Sequence, residues 1–491
     1  MNFSFFNKVF SYGFLAVFIL SACGNPEGPF SIAINQDQSE QLPTNVPVIS
    51  PTRPPFEPGQ LVDYIAQSGD TLPSLAAHFN STIEEIRLAN PIIPKDASTM
   101  PPGMPMKIPI YYLPLWGTSH QIIPDSQYVY GPTSTEFNIM EFVRSQPGWL
   151  KNYREPRPEG NLDIGGLITM VSQHFSVNPK VFLIFLEVTA GGLTNPTPPD
   201  TDYVFDYEVN THKGVYMQMV WLANELNNGY YGWRSGTLKE FEFPDGSIER
   251  PDPWQNAGTV GVQYALSKIF GYDEYQTYVN QGGFSQTFIT SFGDPWQKDS
   301  PPIPGSLVQP YLNLPFNPGR VWNYTGGPHT GWGDGQPYSA IDFAPSGVKG
   351  CAESRDWVTA LADGKILRSV SGEVVLDLDK DGFEQTGWVI FYLHISSTDR
   401  IAKGKEVKAG EPIGYPSCEG GTSTGTHVHI SRKFNGEWVL ADSPVPFNLE
   451  GWVVRNGNRP YQGSLVKFSQ TVIASSKAEG FSAIESQLEP R

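Results

Sequence analysis

The apolar positions between residues 61 and 110 follow two periods in turn. The stretch YIAQSGDTLPSLAAHFNSTIEEIRLANP begins as a strand, turns at Ser68-Gly69-Asp70, and continues with Leu72, Leu75, Ala76 and Phe79 at helical spacing. A second helix is predicted after Ser81 or Thr82, either of which serves as N-cap, with Glu84 and Glu85 in the first turn and Ile83, Ile86 and Leu88 ahead of Asn90. The unit closes on MPPGMPMKIPIYY, which predicts a βααβ module over 61–110. Residues 125–300 change register. LITMVSQHFSVNPKVFLIFLEVTAGGL, GVYMQMVWLANELNNGYYGW and NAGTVGVQYALSKIFGY carry helical apolar spacing, and LKEFEFPDGSIER reads as a hairpin turning at Asp245-Gly246. A proline-rich stretch over 300–318 reads as a linker. Beyond it, WVTALADGKILRSV, GEVVLDLDKDG, GWVIFYLHI and THVHISRKFNGEWVL are short alternating runs between turns, predicting an antiparallel β-rich domain over 302–465. After Gln462 no core pattern remains, and 466–491 reads as a polar tail. The fold class is multidomain α+β.

Length agrees, since 491 residues suit two or three globular units. With 39% hydrophobic and 17% charged residues, 49 Gly and 44 Pro, the composition is that of a loop-rich folded chain rather than a disordered one. A formal net charge of -17 excludes nucleic acid as a partner and electrostatic capture by anionic lipid. The first residues are polar with one cation, Lys8, followed by an apolar run from Val9 to Leu20 that is too short to span a bilayer and right for a signal-peptide core. Its end, Leu20-Ser21-Ala22-Cys23, resembles a bacterial lipobox. The resemblance implies that 1–22 is a lipoprotein signal and that Cys23 is acylated, anchoring the protein to a membrane on the extracytoplasmic side. Residues 23–60, rich in proline, read as a stiff spacer. Cys351 and Cys418 are the other cysteines, an even pair that suggests one disulfide in an exported protein, with two buried thiols as the other reading.

The 61–110 module resembles a LysM domain through Gly69-Asp70-Thr71-Leu72, Ala76, Phe79, Asn90, Gly103 and Lys107-Ile108-Pro109. That implies binding of N-acetylglucosamine-containing glycans, which are neutral and so compatible with an acidic protein. In the helical region, Asn178-Pro179-Lys180 followed by an apolar helix ending at Glu187 faintly resembles lysozyme-like transglycosylases. Thr189, not Glu187, aligns with the acid those enzymes need, so the region reads as a spacer or wall-binding unit.

Four of the eight histidines, His329, His394, His427 and His429, lie in the last third. His427 and His429 stand at i and i+2 of a strand and share a face. Asp342, in SAIDFAP, places a carboxylate in an apolar strand, which is costly unless the group is paired or coordinated. Two histidines, one carboxylate and an open position suit catalytic zinc. The set resembles the LytM/lysostaphin-type zinc metallopeptidases: His329, Asp342-Phe343-Ala344, Val358, Ala360, Gly364 and Ile366, Tyr392 with His394, and Gly425, His427 and His429. The resemblance implies His329, Asp342 and His429 as zinc ligands, His427 and His394 as catalytic residues, and peptide bonds of peptidoglycan stems or cross-bridges as substrate. Twelve residues separate His329 from Asp342 where the family has three, so an insertion over Gly331–Ser339 is expected to bulge between the ligands. The alternative is a non-catalytic copy that activates a cell-wall amidase.

Asp377, Asp379 and Asp381, with Gly382, match the first half of a calcium loop, although its twelfth position is Trp388. A solvated hairpin tip is the other reading.

Overall fold

The computed structural model describes residues 56–442 and 444–487. The predicted signal, Cys23 and nearly all of the 23–60 spacer lie outside the described residues. The first unit is β1 (Gln60–Ile65), α1 (Leu72–His78), α2 (Ile83–Ala89) and β2 (Pro105–Ile110), with β1 and β2 antiparallel and Gln60 opposite Ile110. Both helices start on capping boxes: Thr71 pairs with Ser74, and Thr82 with Glu85. Leu72, Leu75, Phe79, Ile86 and Ile108 close a small core between them.

The helical unit contains α3 (Ile139–Ser145), α4 (Ile164–Phe175), α5 (Pro179–Ala190), α6 (Val215–Arg234), α7 (Ala257–Ile269), α8 (Tyr272–Val279) and α9 (Phe284–Phe292). The predicted run from Leu167 to Leu193 is two helices. Ser176 adopts a left-handed conformation that ends α4, and Asn178 caps a fresh start with Pro179 in its first turn. Glu187 receives Leu193 N–H at 2.7 Å and the Thr194 hydroxyl at 2.6 Å, so its carboxylate closes the end of α5.

The last unit is built on a nine-stranded antiparallel sheet. Its strands are β3 (Val321–His329), β4 (Ala340–Pro345), β5 (Gly364–Val370), β6 (Glu373–Asp377), β7 (Trp388–Leu393), β8 (Glu406–Val407), β9 (Val428–Phe434), β10 (Glu437–Val439) and β11 (Ala483–Glu485). The order is β8-β5-β6-β7-β9-β4-β3-β11, with β10 paired to β9. Both faces are covered. Val374, Leu376, Ile390 and Tyr392 point into the sheet's own core, whereas Val375, Val389, Phe391 and Leu393 join the core of the helical unit. The period of two thus divides β6 and β7 between two cores.

Two expectations are corrected. The 300–318 stretch is not a free linker: Ile303 and Leu307 pack with Val439 and Val445, and Leu312, Leu314 and Phe316 enter the sheet core. The tail beyond 466 is folded wherever it is described. Gln470–Ile473 completes a four-stranded sheet, and β11 adds an edge strand beside β3 with Ile484 opposite Trp322 and 3% exposed. Widely spaced single apolar residues carry these contacts, too few for a periodic signal. Arg234 ties the three units together, binding Asp125 at 2.9 Å and Glu437 at 3.0 Å and donating to the Ser68 carbonyl.

Candidate metal centre

Three strands bring the last third's histidines to one place. In the β9–β4 ladder His429 lies opposite Asp342, and in the β7–β9 ladder it lies opposite Leu393, the residue before His394. His329 ends β3, where the register slips on both sides of Gly326. Such bulges turn a strand and re-aim its side chains. Gly326 is required there, because a Cβ would collide with the Asp342 carboxylate. His329, Asp342, His429 and His394 are 2%, 6%, 6% and 4% exposed.

His329 Nδ1 lies 2.8 Å from the Gly327 carbonyl, and His429 Nε2 lies 3.1 Å from the Gly331 carbonyl. A carbonyl can only accept, so each of these nitrogens carries the hydrogen, and His329 Nε2 and His429 Nδ1 are left with bare lone pairs. Those two atoms are 3.0 Å apart, and each is 3.3 Å from Asp342 Oδ1. Asp342 Oδ1 is buried without a hydrogen-bond donor. Three electron-rich atoms facing one another away from water are costly unless a cation lies among them. Ligands about 2.0–2.1 Å from a tetrahedral zinc stand roughly 3.3–3.4 Å apart, so the donor set fits that ion. The backbone carbonyls behind both rings are the partners that fix a ligand's tautomer.

With no ion in place, Asp342 draws positive charge from the rings around it. Burial alone would raise the Asp342 pKa, but His329 and His427 outweigh it and hold it well below the usual carboxylate range. Burial opposes charge on His329, and Asp342 still lifts its pKa; burial lowers that of His429. His394 is pushed down to about 4, by burial and by His427. The His394 and His427 rings are 4.4 Å apart. Each directs Nδ1 to a carbonyl, that of Glu419 at 2.8 Å and that of Gly425 at 2.7 Å, and His427 Nε2 lies 3.8 Å from Asp342 Oδ1. His394 adopts φ 65°, a strained backbone of the kind found at functional sites.

Cys351 and Cys418 form a disulfide, which holds the segment before Glu419 against the 350–352 turn. Tyr461, stacked on His329 at 4.1 Å, was not singled out by the sequence. It sits in a polar loop, and only the pairing of Tyr461 with the Gly327-Pro328 backbone brings it there. Asp377, Asp379 and Asp381 do meet, at the tip between β6 and β7. Their oxygens accept from the N–H groups of Lys380, Gly382 and Phe383 and from the Thr386 hydroxyl, which accounts for them as a turn.

Residues 344–441 match peptidase family M23, residues 64–109 the LysM domain, and residues 121–304 the LasA N-terminal domain. The chain carries a LysM domain and a LytM-type M23 peptidase domain. The M23 match covers His394, His427 and His429, whereas His329 and Asp342 fall just ahead of it. Protease LasA of Pseudomonas aeruginosa is 23% identical over 334 residues, 64% of this chain and 74% of that protein. Beta-lytic metalloendopeptidase of Achromobacter lyticus is 30% identical over 170 residues, 33% of this chain and 42% of that protein. Among solved structures, the M23 metalloprotease pseudoalterin from the deep sea is 28% identical, covering 34% of this chain and 96% of its own, with a TM-score of 0.29. The M23 match and the metalloendopeptidase relative support a metallopeptidase. The middle region, read from the sequence as a spacer or wall-binding unit, is similar to the LasA N-terminal domain.

Proposed function

We propose that the protein is a zinc metalloendopeptidase that hydrolyses peptide bonds in peptidoglycan stems or cross-bridges, exported and lipid-anchored through Cys23, with the LysM domain holding wall glycan. The observation that carries this reading is the convergence of His329 Nε2, His429 Nδ1 and Asp342 Oδ1 at 3.0–3.3 Å, each without a hydrogen of its own.

A zinc held by these three residues would supply a Lewis acid for the scissile carbonyl and lower the pKa of a water towards ~7. The chain's own groups handle the protons. With Nδ1–H committed to backbone carbonyls, His394 and His427 offer Nε2 as acceptors. Two cationic rings 4.4 Å apart would repel, so the pair carries one proton at a time. His394 is kept neutral by burial, and His427, whose Nε2 lies beside the Asp342 carboxylate, is assigned the part of base. The proton it takes from the attacking water is then available to the departing amine. A LysM domain bound to glycan raises the effective concentration of an insoluble substrate at the peptidase.

Incubating the full chain with purified peptidoglycan and measuring new amino groups tests the reading. Release that a zinc chelator abolishes and zinc restores is expected. No release from several wall chemistries by zinc-loaded, folded protein would overturn it in favour of a non-catalytic amidase activator.

A further inference from the structure

The insertion between His329 and Asp342 is seated on the helical unit through its backbone, with Gly333, Asp334 and Gly335 exposed at its tip. Asp334 N–H donates to Asn224 Oδ1 at 2.7 Å, and Gln336 N–H to Asn228 Oδ1 at 3.0 Å, both acceptors lying on α6. Asn224 is itself held, its amide donating to the Val220 carbonyl at 3.1 Å. Gly333 and Gly335 have φ of +77° and +79°, and a Cβ at either would collide with the same asparagines, at Gly333 with Phe175 as well. The glycines of GWGDG are therefore those needed to lay a loop flat on α6.

Trp332 stands between the units. It stacks on His174 of α4 at 4.1 Å and 14°, and meets Phe391 of β7 edge-on at 5.8 Å. His174 is anchored in turn by Glu373 of β6 at 2.9 Å. Phe391 meets the His429 ring edge-on at 6.4 Å. The residue before Trp332 is Gly331, whose carbonyl accepts from His429 Nε2. Two routes thus run from the helical unit to His429, one through the loop to the Gly331 carbonyl and one through Trp332 and Phe391.

We infer that the helical unit is a working part of the metal site: Asn224 and Asn228 position the 331–336 loop, and the loop's Gly331 carbonyl fixes the tautomer and direction of His429. This rests on the proposed zinc site and deepens it. A mere spacer or wall-binding unit would have no such effect on the metal.

The test uses the full chain and reads the metal itself. Zinc affinity is measured by competition with a chromogenic chelator, and ligand geometry from the visible spectrum of the cobalt-substituted protein. The Asn224→Ala/Asn228→Ala pair, which loosens the loop but leaves the Gly331 carbonyl itself in place, is expected to weaken zinc up to about 10-fold, the low end of the cost of losing a ligand's outer partner outright, and to alter the cobalt spectrum. Asn224→Asp, which keeps the accepting oxygen but loses the donor to the Val220 carbonyl, is expected to bind zinc more tightly than the alanine pair. If the pair folds poorly by circular dichroism, Asn228→Ala alone is expected to shift both readouts in the same direction by less. Unchanged affinity and spectrum in the alanine variants, with wild-type protein binding one metal, would overturn the inference and leave the zinc reading standing. Failure of the wild type to bind zinc or cobalt would overturn both.

Discussion

The two histidines of THVHI share a strand face but not a role. His429 turns Nδ1 to Asp342 and His329, and His427 turns Nε2 towards the same carboxylate from 3.8 Å. On the proposed mechanism, His427→Ala leaves three metal donors in place and removes the base. Its kcat should fall about 10²–10⁴-fold while zinc stays bound, measured as amine release beside metal content. Loss of zinc together with activity would place His427 among the ligands. The residue types were legible in the sequence because a carboxylate and histidines in apolar strands have no inexpensive structural use. The nitrogens were not, because each tautomer is set by a carbonyl, those of Gly327, Gly331, Gly425 and Glu419, and carbonyls leave no mark in a sequence.

Elements with local signals were read correctly: the capped helices of the LysM domain, and the strands whose apolar residues alternate. Elements held by distant contacts were missed. Trp322 receives Ile484 across 162 positions of chain, and Leu312 to Phe316 slot singly into the sheet core. The seam between α1 and α6 gives a pH prediction at this scale. His78 lies flat on Trp233 at 3.4 Å, with Nε2 donating to the Trp233 carbonyl at 3.0 Å, and burial lowers its pKa to about 3. The unfolded chain, with an ordinary histidine near ~6.5, takes up that proton first, so His78 removes stability as pH falls from about 6.5 towards 3. Asp70, whose pKa is raised to about 6 by burial, acts in the opposite sense, so the wild-type curve alone is blunted. The melting temperature of wild type minus that of His78→Gln isolates the effect. It should shrink between pH 7 and pH 4; a constant difference would show that His78 titrates normally.

At the scale of the molecule, the described residues are not modules on flexible links. Arg234 reaches the LysM domain, the helical unit and β10, and the 303–307 strap binds Thr99 on one side and Val439 on the other. Proline-rich composition suggested independence, yet proline also suits an extended strap whose few apolar side chains are buried. The sequence motifs marked the candidate site through its histidines and Asp342. The role of the helices around it stayed hidden, since Asn224, Asn228 and His174 lie more than 100 residues from the loop they hold. The account turns on one ion among His329, Asp342 and His429. Metal analysis of the purified full chain, with X-ray absorption at the zinc edge, tests this most directly. It should find one zinc per chain, bound by nitrogen and oxygen at about 2.0–2.1 Å and lost in Asp342→Asn. No zinc in the folded protein, or zinc retained unchanged in that variant, would contradict it.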